Sequence, residues 1–141
     1  MREFKGGCHC GDIRYVFIWP ADGDPPLRTC NCTFCVKHGG IYSSHPDGSL
    51  AVTFRGKDVA ADYEFGTKSA HFHCCRRCGT FVFVVSRIEG RDRAVLNMRT
   101  VDDFKPPAQV QPLSYEGENL GDRLGRRDRN WIGTVTITVA G

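Results

Sequence analysis

Apolar residues in this chain recur mainly at every second position, in short runs bounded by Gly, Pro, Asp and Ser. That is the period of half-buried β-strands rather than of amphipathic helices. Asp12 to Trp19 (Asp-Ile-Arg-Tyr-Val-Phe-Ile-Trp) is β-branched and aromatic and stops at Pro20, so it predicts a strand. Leu50 to Arg55 and Asp62 to Phe65 alternate in the same way, and Ala70 to Cys74 predicts another short strand. Thr80 to Val85 is apolar on both faces, the pattern of a strand covered on two sides. Arg93 to Met98 follows a turn at 88–92, and Thr134 to Val139 alternates cleanly, with its threonines expected on the wet face.

The segments between these runs predict loops. Ala21 to Pro26 and Ser43 to Ser49 are rich in Asp, Gly, Pro and Ser. After Cys35, Val36-Lys37-His38-Gly39-Gly40 allows at most a single helical turn. Pro106 to Pro112 reads as extended and irregular, and Glu116 to Arg129, rich in Gly, Asp and Arg, reads as a mobile loop. No helix longer than about two turns is required anywhere. A chain of 141 residues with no internal repeat and no composition break fits a single domain over 1–141. The expected fold class is mainly β, built from small antiparallel sheets with little helix.

Cysteine changes this picture most. Seven of the eight cysteines fall in chelating spacings: Cys8-His9-Cys10, Cys30-Asn31-Cys32-Thr33-Phe34-Cys35 and Cys75-Arg76-Arg77-Cys78. A disulfide framework is the poorer reading, because C-x-C is an awkward spacing for one and no apolar leader precedes the first cysteine. With no run of roughly 18 apolar residues either, the chain reads as cytoplasmic, where thiols stay reduced, and zinc is the metal that suits them.

The first and last clusters match each other. Each has a glycine directly after its last thiol, Gly11 and Gly79, and each leads into a strong strand. Cys8, Cys10, Cys75 and Cys78 therefore make a closed four-thiolate site if those two strands pair, and such a site contributes directly to folding. Cys30, Cys32 and Cys35 are then left as three ligands with an open fourth position, the arrangement of a metal that meets a substrate. Two alternatives stand beside this: a second structural site completed by Cys74, and a triplet that holds no metal. Cys74 reads better as a small buried hydrophobe, since neighbours on a strand point to opposite faces. Zinc with three thiolates carries a net charge of about −1, so it polarises water weakly. Exchange of a substrate thiol suits it better than hydrolysis.

Three stretches together resemble the glutathione-dependent formaldehyde-activating enzyme family, which also contains centromere protein V. They are Gly7-Cys8-His9-Cys10-Gly11-Asp12-Ile13-Arg14-Tyr15, Cys30-Asn31-Cys32-Thr33-Phe34-Cys35-Val36-Lys37-His38-Gly39 and Cys75-Arg76-Arg77-Cys78-Gly79-Thr80. Val95-Leu96-Asn97-Met98-Arg99 resembles a later strand of the family. The resemblance implies a β-tent fold, with Cys8, Cys10, Cys75 and Cys78 on a structural zinc and Cys30, Cys32 and Cys35 on the zinc of the active site. It implies a carbon–sulfur lyase that joins or splits glutathione and formaldehyde as S-hydroxymethylglutathione. The tail beyond Lys105 lies outside these motifs. Two other function classes remain in view: a non-catalytic, zinc-stabilised thiol carrier or protein-binding module, and a single-zinc scaffold with an empty triplet.

The remaining polar residues add less. His71 and His73 share one strand face beside the Cys75 knuckle and read as partly exposed histidines rather than as a proton shuttle. His38 and His45 follow the triplet, where they can line a pocket, but each reads as a surface histidine; His9 is expected to face solvent. Arg123, Arg126, Arg127 and Arg129 can clamp ligand carboxylates, yet with Asp122 and Asp128 interleaved they read as a solvated loop. A net charge of +3 is too small to point to nucleic acid, even with Trp131 nearby. The edges of a small β domain leave room for a homo-oligomer without selecting one.

Overall fold

The computed structural model describes residues 1–107 and 110–140. In chain order its strands and helices are β1 (Arg2–Gly7), β2 (Ile13–Trp19), β3 (Arg28–Cys30), α1 (Thr33–His38), β4 (Tyr42–Ser43), β5 (Ser49–Phe54), β6 (Ala60–Tyr63), β7 (His71–Cys75), β8 (Phe81–Ile88), β9 (Arg91–Asn97), β10 (Gln111–Leu113), α2 (Leu120–Asn130) and β11 (Thr134–Val139). The fold is mainly β, as the alternation predicts. One open sheet has the order β1-β2-β5-β11, and a second has the order β10-β3-β4-β9-β8-β7-β6.

The two sheets bury a shared core. Along β2, Ile13, Tyr15, Phe17 and Trp19 are buried while Arg14 is exposed, which is the pleat acting on an alternating sequence. With Leu50 and Val52 of β5 they pack against Phe83 and Val85 of β8 and Ala94 and Leu96 of β9. Each such side chain contributes roughly 1.5–3 kcal/mol on burial, so Phe17→Ala would cost about 3–5 kcal/mol. β8 is buried on both faces, as its unbroken apolar run predicts. Its other face joins a second cluster, in which Phe81 and Val84 meet Tyr42, Val95 and Trp131. The pairing of β7 with β8 shifts register between His73 and Cys74.

Three expectations need correction. The segment from Glu116 to Arg129 is not a loop: most of it forms α2, a helix of three turns. Asn119 caps that helix by accepting the Asp122 amide at 2.8 Å, Asp122 lies in its first turn, and Arg127 and Arg129 lie in its last. Those charges suit the helix dipole, and this order of charges offsets a sequence with few apolar residues. After Cys35 the chain makes no more than the single turn expected: α1 begins before that cysteine and ends at His38. Part of Pro106 to Pro112 is a strand, because β10 runs parallel to β3; residues 108 and 109 lie outside the described residues. Finally, β11 pairs parallel with β5 at the sheet edge, and Ile137 and Val139 are exposed along with its threonines.

Asn97 locks the segment after α1 in place. It is 5% exposed, its amide donates to the Phe81 carbonyl at 2.9 Å, and its Oδ1 accepts the Ile41 amide at 3.3 Å. No helix among the described residues is long and apolar enough to cross a membrane.

Candidate metal centres and the cavity beside them

The strands that follow the first and last knuckles do not pair with each other. β2 belongs to the smaller sheet and β8 to the larger, so the condition set from sequence fails. The sulfurs converge nonetheless, because the turn before β2 and the turn before β8 face each other across the packed sheets. The Cys8, Cys10, Cys75 and Cys78 sulfurs all lie within 4.8 Å of one another. Cys8–Cys10 and Cys10–Cys75 separations are 3.7 and 3.6 Å. A tetrahedral zinc with Zn–S bonds of about 2.3 Å needs sulfurs about 3.8 Å apart, so this donor set fits zinc.

Backbone geometry supports the same cluster. Gly11 and Gly79 have φ of 86° and 80°, a conformation that a side chain disfavours. Each glycine amide closes its knuckle on a carbonyl, Cys8 at 3.2 Å and Cys75 at 2.9 Å. The amides that reach sulfur are those of Ile13, at 3.2 Å from Cys8, and Cys78, at 3.5 Å from Cys75. Such bonds favour thiolate over thiol. The Cys78 thiol is pushed down to about 5: burial opposes the shift, and the Thr80 hydroxyl, 3.2 Å away, drives it.

The triplet is built differently. Cys30 ends β3, Cys32 is the N-cap of α1 and accepts the Cys35 amide at 3.4 Å, and Cys35 sits inside α1. One helical turn brings Cys32 and Cys35 together, and β3 delivers Cys30 to them. Their sulfurs also lie within 4.8 Å of one another, so this second donor set is compatible with zinc. Phe34, between the last two cysteines, anchors α1 on the larger sheet through Phe72 and Phe81, at ring distances of 4.6 and 5.0 Å.

Cys30 is pushed down to about 5 by its hydrogen bond with Cys35 and helped by the nearby Arg126 charge. Cys35 is held up by the same bond and by burial. Tyr42 donates its hydroxyl to the Cys35 sulfur at 2.9 Å. Burial, followed by the thiols beside it, keeps that phenol protonated, so Tyr42 acts as a fixed donor. Cys74 belongs to neither sulfur group among the described residues. It is half-buried beside the second cluster, on the face opposite Cys75.

All three triplet cysteines line a cavity of about 390 Å³, and none of Cys8, Cys10, Cys75 and Cys78 does. Aromatic side chains of Phe65, Phe72, Tyr115 and Trp131 wall it, and Arg28, Arg123, Arg126 and Arg127 line it as well. The three α2 arginines are thus not spread over a solvated loop. Arg126 forks onto Glu118 through two 3.0 Å bonds and lies 3.6 Å over the Tyr115 ring. Arg127 is 6% exposed and binds Ser69 and Ser86. Only Arg129 of the four is exposed, as expected.

The histidines stay out of the cavity. His38 is exposed and stacks on Phe34 at 4.2 Å, and His45 meets Trp19 edge-on at 4.9 Å. His71 bonds Asp62 at 2.9 Å, and His73 stacks on Phe83 at 4.5 Å in the other core. His9 is exposed. Tyr42, Tyr115, Glu118 and Arg28 were not singled out from sequence. For Arg28 a signal existed: it stands two residues before Cys30 on β3 and so shares its face. For the others, the contacts form between segments far apart in the chain.

A family model described as glutathione-dependent formaldehyde-activating enzyme matches residues 3–115. Among solved structures, the crystal structure of a Rhodobacter sphaeroides protein, a structural-genomics target, is similar with a TM-score of 0.58 and 26% identity. That similarity covers 77% of this chain and 99% of the other. The family match ends before α2 and its arginines.

Proposed function

From the premise that this chain belongs to the glutathione-dependent formaldehyde-activating enzyme family, we propose that it is a zinc-dependent carbon–sulfur lyase. Its substrate would be a thiol–aldehyde adduct such as S-hydroxymethylglutathione, and formaldehyde and glutathione the products. The observation that supports this reading most is the cavity, which is lined by the triplet and by none of the four thiols of the other cluster. Cys8, Cys10, Cys75 and Cys78 would hold a structural zinc, and Cys30, Cys32 and Cys35 a second zinc with its fourth position left for the substrate. Bound there, zinc would hold the substrate sulfur as thiolate rather than supply hydroxide.

Cleavage of the adduct breaks its C–S and O–H bonds and forms the aldehyde C=O. The C–S electron pair stays on sulfur, and the hydroxyl proton passes to water. Tyr42, donating to Cys35, draws charge from one thiolate and keeps the triplet able to accept a fourth sulfur. Arg126 places a positive charge beside Cys30 with the same effect. The clustered thiols suit a reducing, cytoplasmic setting.

The expected metal content is two zinc per chain. Cys32→Ser should lose one zinc and the turnover of S-hydroxymethylglutathione while retaining the circular dichroism of the parent. A zinc-replete protein with no turnover of any hemithioacetal would overturn the lyase reading. It would favour a thiol carrier, the reading supported by the lack of a histidine among the cavity-lining residues.

A further inference from the structure

Four arginines and one acidic residue, Glu116, line the cavity, and the carboxylate that pairs with these arginines is Glu118. Arg126 takes both Glu118 oxygens, and Arg123 shares one of them at 3.4 Å. Neither Arg28 nor Arg127 has a carboxylate partner among the described residues.

Arg127 is the sharper case. Its hydrogen bonds run from Nη1 to Ser69 and Ser86, at 2.8 Å and 3.2 Å for the two hydroxyls. Its Nε is buried without a hydrogen-bond partner among the described residues. Trp131 holds the group from one face, with Cζ 5.0 Å from the ring centroid. Burial, followed by Arg126 and Arg123, pushes this arginine down to about 10, so it is still a cation at neutral pH. Arg28 is tied to the Ser44 hydroxyl at 2.8 Å. A buried cation held only by neutral groups of Ser69 and Ser86 and by the Trp131 ring is poorly compensated. A guanidinium that lines a cavity without a carboxylate partner is a preformed half of a carboxylate pair.

We propose that Arg127 and Arg28 form an anion subsite in the triplet cavity that takes a carboxylate of the thiol ligand, so that the substrates are adducts of carboxylate-bearing thiols rather than of thiols in general. This inference rests on the triplet as the place where the ligand sulfur binds. Arg126, Arg123 and Glu118 act as the support: their internal pairing fixes α2 and leaves Arg127 aimed into the cavity.

The test is calorimetric titration of the zinc-loaded full chain with glutathione, its dimethyl ester and S-methylglutathione. The ester keeps the thiol and loses both carboxylates; the S-methyl compound keeps the carboxylates and loses the thiol. The ester should bind at least about tenfold more weakly than glutathione, the scale of one charge-assisted hydrogen bond. Arg28→Gln and Arg127→Gln should each collapse that ratio toward one. Should Arg127→Gln fail to fold, Arg28→Gln and the wild-type ligand pair still decide. Equal affinities for glutathione and its ester would overturn the subsite, as would arginine variants that weaken both ligands alike, because the arginines would then merely offset the thiolate charge. An S-methyl compound that binds as tightly as glutathione, with the ester still weak, would sink the sulfur-binding role of the triplet and leave the subsite standing.

Discussion

Two sulfur clusters of nearly equal span lie in one small protein, and their surroundings differ in almost every respect. The four-cysteine cluster joins a turn of the smaller sheet to a turn of the larger one, with Cys8 and Cys75 buried in the core between the sheets. Its donors satisfy a tetrahedral metal without outside help. The triplet lies beyond the other face of the larger sheet, on a short strand and the first turn of a short helix, and it faces a cavity. Three sulfurs leave a tetrahedral metal short of one ligand. Donor number and location agree: the four sulfurs that can complete a tetrahedron lie between the two sheets, and the three that cannot line a cavity.

The largest expected effect tests the four-cysteine cluster. Structural zinc binding in small domains is worth on the order of 10 kcal/mol, as much as a whole domain's net stability of roughly 5–15 kcal/mol. Cys78→Ser is therefore expected to unfold the chain at 25 °C, read by circular dichroism, whereas Cys32→Ser should keep its fold. The reverse ranking would exchange the two roles.

Tyr42→Phe probes the triplet more gently. The ring stays in its buried place, but the hydrogen bond to Cys35 is lost. Zinc affinity at the triplet should fall about 10- to 100-fold, measured by chelator competition, with four-cysteine zinc retention unchanged. An equal loss from both sites would show that the effect is a general loosening.

Smaller effects concern α2, which closes the open site and leaves the closed one alone. Arg126 holds the Glu118 carboxyl below its ordinary value. A carboxyl with a depressed folded value contributes stability above its unfolded value of 4.5, and that contribution is lost as pH falls through the folded value. The Glu118→Gln penalty should thus be about 1 kcal/mol at pH 7 and shrink as the pH drops below 4.5, read as the difference in melting temperature. A penalty that grows on acidification would remove the ion pair as its source. Asn119→Ala, which removes the helix cap, should cost about 1 kcal/mol and raise amide exchange in α2 alone. Protection lost equally in β8 would mean that α2 is not a separable element.

Much of this was readable from residues. Alternation in Ile13 to Trp19 and the two-faced run at Phe81 to Val85 identify the core strands, because the pleat turns sequence period directly into burial. Cysteine spacing groups the thiols, because chelation is local within each knuckle. Leu120 to Asn130 holds few apolar residues, so hydrophobic periodicity has nothing to report of α2. Its capping signals, Asn119 with Asp122 and a basic last turn, were present but are weak beside so many glycines and charges.

By itself the sequence determined which residues can bind metal, in what groups, and which strands form the core, since each depends on neighbours within a few positions. The tertiary structure alone decided that the first and last knuckles meet across two sheets rather than along one. It alone decided that the triplet faces a cavity, and that arginines some ninety positions downstream line that cavity with it. Those outcomes depend on contacts between distant segments, such as Arg127 with Ser69 and Ser86, whose energies no local pattern encodes.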